Sequence, residues 1–249
     1  MAEYPGCKVV ESYEELFGME GIDLVVNVSY SKMHYPITKD LLQHGFHVLV
    51  EKPFAANHYE GADLIKTAKE KGVVLAVFQQ TFLDYSDEMK VVYSKLACAM
   101  TSGDSDDFCK AILTAPGKPV IDLEINNTDA FSDYNIKIQG TRGTYKCAPS
   151  AYKMKYIVDG ENPERPVIRE SLKDAEGYPI YCGEKLITHE EEGTFEGTAF
   201  DVGTESVYRV LNKKLTEGAE LTMIVPENAA KIINVIETIR AQNPLPVKF

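Results

Sequence analysis

Three short runs in the first eighty residues are almost wholly apolar and rich in β-branched side chains. They are Ile22-Asp23-Leu24-Val25-Val26-Asn27-Val28, Phe46-His47-Val48-Leu49-Val50 and Val73-Val74-Leu75-Ala76-Val77-Phe78. Strands of this kind must be covered on both faces, which a parallel sheet with helices on each side provides. The intervening segments carry the helical period instead. Tyr35 to His44 places Ile37, Leu41 and Leu42 together, and Tyr59 to Lys71 places Ala62, Ile65 and Ala68 on one stripe. Gly45 and Gly72 follow as C-terminal stops, and Pro53 closes the second strand because it has no ladder donor. A short helix over Tyr13 to Phe17 opens the region, with Ser12 as N-cap and Glu15 completing a capping box. The alternation predicts a parallel α/β unit with right-handed crossovers. A three-stranded sheet this apolar is thin and calls for neighbours on both sides.

The rest of the chain reads differently. Asp84 to Met100 fits a helix through Val91, Leu96 and Met100, and Thr101 to Asp106 is a polar turn. Strands are expected over Phe108–Thr114, Val120–Asn126, Asn135–Gln139 and Gly143–Lys146. Ile121-Asp122-Leu123-Glu124-Ile125 alternates as a half-buried strand does, and Gly140 and Gly143 bracket a hairpin turn. Residues 149–200 predict loops and meandering strands. Two helices follow: Glu205 to Leu215, with Val207, Val210, Leu211 and Leu215 inward, and Pro226 to Arg240, led by a proline that suits a first turn.

Composition narrows the function classes. Thirty-eight acidic against 26 basic residues give a formal charge of -12, which disfavours a phosphate backbone as partner. No run approaches the roughly 20 apolar residues of a membrane span, and Met1 to Pro5 lack the pattern of a signal peptide, so the expectation is a cytoplasmic protein. The five cysteines (Cys7, Cys98, Cys109, Cys147 and Cys182) form no CxxC pair, and no histidine spacing suggests a metal site.

The run Ile22 to Ser29, then His34, then Gly45-Phe46-His47-Val48-Leu49-Val50-Glu51-Lys52-Pro53 resembles the Gfo/Idh/MocA oxidoreductases, whose hallmark is an E-K-P triplet at this place. The likeness extends through Phe78-Gln79-Gln80 and, more loosely, to Pro226-Glu227-Asn228-Ala229-Ala230. It implies an α/β fold: a partial Rossmann-like parallel unit followed by an α+β domain with an open, mainly antiparallel sheet. The domains would be 1–80, the second half of a nucleotide-binding domain; 81–225, for substrate and oligomerisation; and 226–249, a helix and tail returning toward the first. It further implies hydride transfer between NAD or NADP and a sugar or polyol hydroxyl, and a homo-oligomer formed through the second-domain sheet. The alternative is a catalytically inactive binding or assembly protein on the same fold.

Two family features are not found. No strand leads through G-x-G-x-x-G into a helix, the turn that lets a helix N-terminus approach a pyrophosphate; Gly140-Thr141-Arg142-Gly143 reads as an ordinary turn. Nor is there an aspartate and histidine in a Gly-rich helix opening, and His189 sits among acids instead. Position 81 is threonine where the family pattern has arginine. The expectation is therefore a chain truncated at the N-terminus and shortened in its central region.

The resemblance implies a role for Lys52 beside the nicotinamide and the reacting hydroxyl, where an ammonium stabilises a developing alkoxide. Ligands bind outside the C-terminal ends of parallel strands, which is the physical reason to look there. Lys52 could equally be a turn lysine paired with Glu51. Asn27, Ser29, His34, Glu51 and Pro53 are the implied cofactor-side residues. Strand-end polar groups also satisfy loop amides, and His34 could make a packing or capping contact instead.

Overall fold

The computed structural model describes residues 4, 6–79, 88–98, 100, 105–164, 169, 171–181 and 185–244. The chain divides into two compact units, one of residues 1–129 with 203–249 and one of residues 130–202.

The first unit begins with a 3-10 turn at Tyr13–Gly18, where the Glu15 carboxylate accepts from the backbone N–H of Glu11 and Ser12. Strands β1 (Leu24–Asn27), β2 (His47–Glu51) and β3 (Leu75–Phe78) then form a parallel sheet in that order. Helices α1 (Ser31–Gln43) and α2 (His58–Lys71) connect them. Alternation along β2 splits the core. Val48 and Val50 join Leu41, Leu42, Phe54, Leu64 and Val77 on the α1 and α2 side, and α4 (Pro226–Gln242) adds Ala229 and Ile233 there. Leu49 and Ala76 face the opposite way, onto Val207, Leu211 and Ile224, the first two carried by α3 (Ala199–Glu217). Both faces are covered, as the apolar runs require.

Helix α1 starts four residues before Tyr35 and carries Pro36 inside it. Helix α2 is capped by the Asn57 side chain, which accepts from Glu60 N, and stops at Gly72 in the left-handed conformation (φ 66°) that a side chain would oppose.

A second sheet of this unit is antiparallel: β4 (Lys90–Ala97), β5 (Phe108–Thr114) and β6 (Ile121–Asn126). Its apolar face, with Leu96, Cys109, Ala111 and Leu113, packs on Ile239 and Val235 of α4. The expected helix over Asp84 to Met100 is corrected: residues 90–97 are strand β4, and 84–87 lie outside the described residues. The register of β4 slips between Val91 and Tyr93, so its apolar positions lose the two-residue period of a regular strand.

The second unit is a four-stranded antiparallel sheet in the order β10-β9-β8-β7. Its strands are β7 (Ile136–Gly140), β8 (Gly143–Cys147), β9 (Ala151–Tyr156) and β10 (His189–Thr194). One face carries Ile136, Ile138, Tyr145, Cys147, Tyr152 and Met154, while the other carries Lys137, Lys146, Lys153, Lys155, Glu190 and Glu192. None of the described residues of 130–202 is buried.

Candidate functional site

Parallel strands β1 and β2 end side by side, with Asn27 paired to Val50, so Ser29 and the Glu51-Lys52-Pro53 turn emerge at the same end of the sheet. Phe78 lies opposite Glu51 at the end of β3. The structure thus brings the sequence-predicted residues together, but in two different states.

Asn27 and His34 are interior. Asn27 donates through Nδ2 to Thr38 Oγ1 (3.0 Å) and His34 O (3.3 Å), while its Oδ1 accepts from Ser29 N (3.2 Å) and Ser29 Oγ (2.7 Å). This amide joins the end of β1 to α1. His34 is only 2% exposed, and its ring spans two loops: Nδ1 lies 2.8 Å from Pro53 O and Nε2 2.8 Å from Ser29 O. Thr38, fully buried, was not singled out from sequence. Its signal was a hydroxyl four residues after His34 within the buried stripe of α1.

Lys52 is exposed, and its ammonium has no ion-pair partner among the described residues. Glu51 does not pair with that ammonium; its Oε2 accepts from the backbone N–H of Lys52 at 3.0 Å and so closes the turn. The Lys52–Pro53 peptide bond is cis. Phe54 anchors the turn from below, 1% exposed, against Gly61 of α2. A Cβ at Gly61 would stand 3.0 Å from the Phe54 ring, so the glycine leaves room for it.

The remaining histidines make local contacts away from this turn. His47 Nδ1 accepts from Val74 N (2.8 Å), His44 Nδ1 lies 2.8 Å from Asp40 O, His58 Nδ1 lies 2.6 Å from Glu237 Oε2, and His189 Nε2 lies 2.5 Å from Glu161 Oε2. Cys7, Cys109 and Cys147 are free thiols; burial pushes the Cys109 thiol up, which disfavours its thiolate, and Cys182 lies outside the described residues. Among the described residues no group of three or more His, Cys, Asp or Glu could hold a metal ion. No helix among them is long and apolar enough to cross a membrane.

A groove of about 530 Å³ lies on the charged face of the second unit, lined by Thr144, Lys146, Lys153, Lys155, Glu190 and Glu192 among others. Its lysines are largely neutralised, Lys155 by Glu190 and Lys146 by Asp133, each at 2.6 Å. None of the sequence-predicted residues lines it.

The parallel sheet carries the E-K-P turn at its strand end, and residues 1–79 of the 249 match the model of the GFO_IDH_MocA family, described as an oxidoreductase family with an NAD-binding Rossmann fold. Among individual relatives, the chain is 40% identical over 76 residues to the scyllo-inositol 2-dehydrogenase (NADP(+)) IolW of Bacillus subtilis, a match covering 30% of this chain and 21% of that protein. It is 40% identical over 75 residues to the dTDP-3,4-didehydro-2,6-dideoxy-alpha-D-glucose 3-reductase of Streptomyces violaceoruber, covering 30% and 22%. The chain therefore spans about a fifth of the length of these two relatives.

Solved structures extend the likeness in fold. The NAD-binding protein from Listeria innocua superposes with a TM-score of 0.68 at 16% identity, over 96% of this chain and 84% of that one. UDP-N-acetylglucosamine 3-dehydrogenase GnnA from Acidithiobacillus ferrooxidans gives 0.59 at 14%, over 94% and 82%. These superpositions run through the central strands. They correct the expectation of a chain truncated at its N-terminus and shortened in the middle, because 96% and 94% of this chain superpose on 84% and 82% of these solved chains. Local turn motifs were a poor guide to extent, since a fold is held by packed layers that diverged sequences still build.

Proposed function

We propose that this chain is of the NAD(P)-dependent oxidoreductase type and acts on a sugar or polyol hydroxyl, with Lys52 as the group that meets the reacting oxygen. The observation that carries this reading is the exposed Lys52 ammonium, without an ion-pair partner among the described residues, at the C-terminal end of a parallel sheet on a turn fixed by Glu51 and Phe54. Ligands favour that end of such sheets.

The residues fit the nicotinamide end of NAD or NADP better than its diphosphate. Ser29 and Lys52 offer polar groups at the crevice, while the turns after β1 and β2, residues 28–30 and 52–57, contain no glycine for close backbone approach. When bound, the nicotinamide supplies the hydride chemistry. Lys52 donates a hydrogen bond to the substrate oxygen and stabilises the negative charge that grows there. Glu51 holds the Lys52 backbone, and Asn27 and Ser29 fix the facing loop. The division into residues 1–80 for nucleotide, 81–225 for substrate and assembly, and 226–249 as a returning helix and tail belongs to the same proposal.

The test is calorimetric titration of the full chain with NADH, NADPH and reduced nicotinamide mononucleotide, repeated with Lys52→Ala. The expected result is binding that weakens at least about tenfold, or about 1.4 kcal/mol, without the ammonium. No heat with any of the three, or unchanged isotherms for the variant, overturns the reading.

A second reading, assembly through the second unit, is favoured by one observation. On its apolar sheet face Ile136 and Ile138 are 50% and 58% exposed. A homo-oligomer that buries this face would disperse on Ile138→Lys. Sedimentation that finds only monomer at every concentration removes this reading.

A further inference from the structure

We infer that the His34 ring carries both of its protons and acts as a positioning residue, a buried cationic clamp that sets the Lys52–Pro53 turn against the end of β1. The inference rests on the reading of Lys52 as the working group of the crevice.

Both hydrogen-bonding neighbours of the ring among the described residues are backbone carbonyl oxygens, Pro53 O and Ser29 O, each at 2.8 Å. A carbonyl oxygen only accepts. A neutral imidazole has one N–H and one lone pair, so one of these contacts would set a lone pair against an oxygen at hydrogen-bonding distance. The doubly protonated ring serves both. Solvent offers no alternative, because the side chain is 2% exposed. The rest of the residue is equally fixed: its own carbonyl accepts from Asn27 Nδ2, and Thr38, one turn further along α1, accepts from the same amide nitrogen.

The two carbonyls belong to different loops. Ser29 follows β1 and Pro53 follows β2, so two charge-assisted hydrogen bonds from one rigid ring hold the loops at a set separation. Pro53 immediately follows Lys52, and the carboxylate of Glu51 closes the other side of the turn on Lys52 N. The charged side chains nearest the two acceptors in sequence are Glu51 and Lys52 on the turn and Lys32 on α1. His34 touches no reacting atom; it fixes the place from which the ammonium projects.

The test is long-range proton–nitrogen NMR of the isotope-labelled full chain at neutral pH, with the His34 signals assigned by their loss in His34→Gln. The expected spectrum has two protonated ring nitrogens at His34, each coupled across its hydrogen bond to the carbonyl carbon of Ser29 or Pro53. A single protonated nitrogen overturns the inference. Lysines tagged by 13C-methylation give the second readout. Glutamine has one donor nitrogen and cannot bridge both carbonyls, so the Lys52 methyl signal should shift in His34→Gln while distant lysines keep theirs. An unmoved Lys52 signal removes the positioning role. Neither readout needs nucleotide, so a failed NADH or NADPH titration would count against the proposed function alone.

Discussion

Asn27→Ala is the sharpest perturbation of the strand-end framework. The side chain makes four hydrogen bonds, but they are unequal. The two to Ser29 are partly exposed, and water can replace them at little cost. The two from Nδ2 are buried: Thr38 is 0% exposed, and its hydroxyl and the His34 carbonyl would both lose a donor. Thr38 can recover part of the loss by turning its hydroxyl back to the His34 carbonyl one helical turn earlier. The remaining cost is about 2 kcal/mol, within the range for an unsatisfied buried group. Asn27→Asp should cost more at neutral pH, because a carboxylate oxygen then faces the His34 carbonyl. That excess should shrink as pH falls and the new carboxyl takes up a proton. Urea unfolding followed by helical circular dichroism measures both, read in the transition of the unit that contains α1. A loss below about 0.5 kcal/mol for Asn27→Ala would refute the reasoning, since it would mean that this amide is not what joins β1 to α1.

Three further outcomes are expected. Gly143→Ala should loosen the second unit, because a Cβ there would lie 2.3 Å from the backbone oxygen of Lys155, which cannot move as a side chain can; amide exchange across β8 and β9 should quicken. Asp63→Asn should flatten the acid limb of the stability profile. The Lys39 hydrogen bond holds the Asp63 carboxyl below its ordinary range, so its contribution is complete above about pH 4 and fades as pH falls through the depressed value. The Lys39 ammonium is raised by the same contact, so its share is complete below about pH 10 and is lost in alkali above that. With both side chains about a third exposed, solvent screening keeps the effect small. Finally, partial burial and the 3.0 Å hydrogen bond to Asp40 push the Tyr13 phenol up to about 12, so in an alkaline absorbance titration it should ionise late, and Tyr13→Phe should remove that late step.

The parallel strands were legible because burial on both faces writes itself as continuous apolar sequence, and Gly45, Pro53 and Gly72 punctuate it. Strand β4 was not. Its slip between Val91 and Tyr93 erased the alternation and left Val91, Leu96 and Met100 at a spacing that reads as helical. Strand β10 is His189-Glu190-Glu191-Glu192-Gly193-Thr194, with no apolar period at all. It is held by backbone pairing and by cross-strand contacts such as Lys155 with Glu190 and Tyr152 with Glu191, which only a fold can bring together. At the site, the E-K-P turn was visible in sequence. The bridge that His34 makes beneath the turn was not, because its two partners are backbone carbonyls and carry no sequence signature.

The first unit is assembled from both ends of the chain, residues 1–129 and 203–249. Helix α4 supplies Ala229 and Ile233 to one core and Ile239 to another, and it is fastened by Glu237 to His58 and by Glu227 to Lys69. On the ribosome, the parallel sheet emerges more than a hundred residues ahead of the helix that completes its shelter. Until then the face of Leu113 is bare and that of Val77 only part covered by α1 and α2, and the nascent chain must be kept from clumping. A stop codon just before Pro226 would leave that interval open for good.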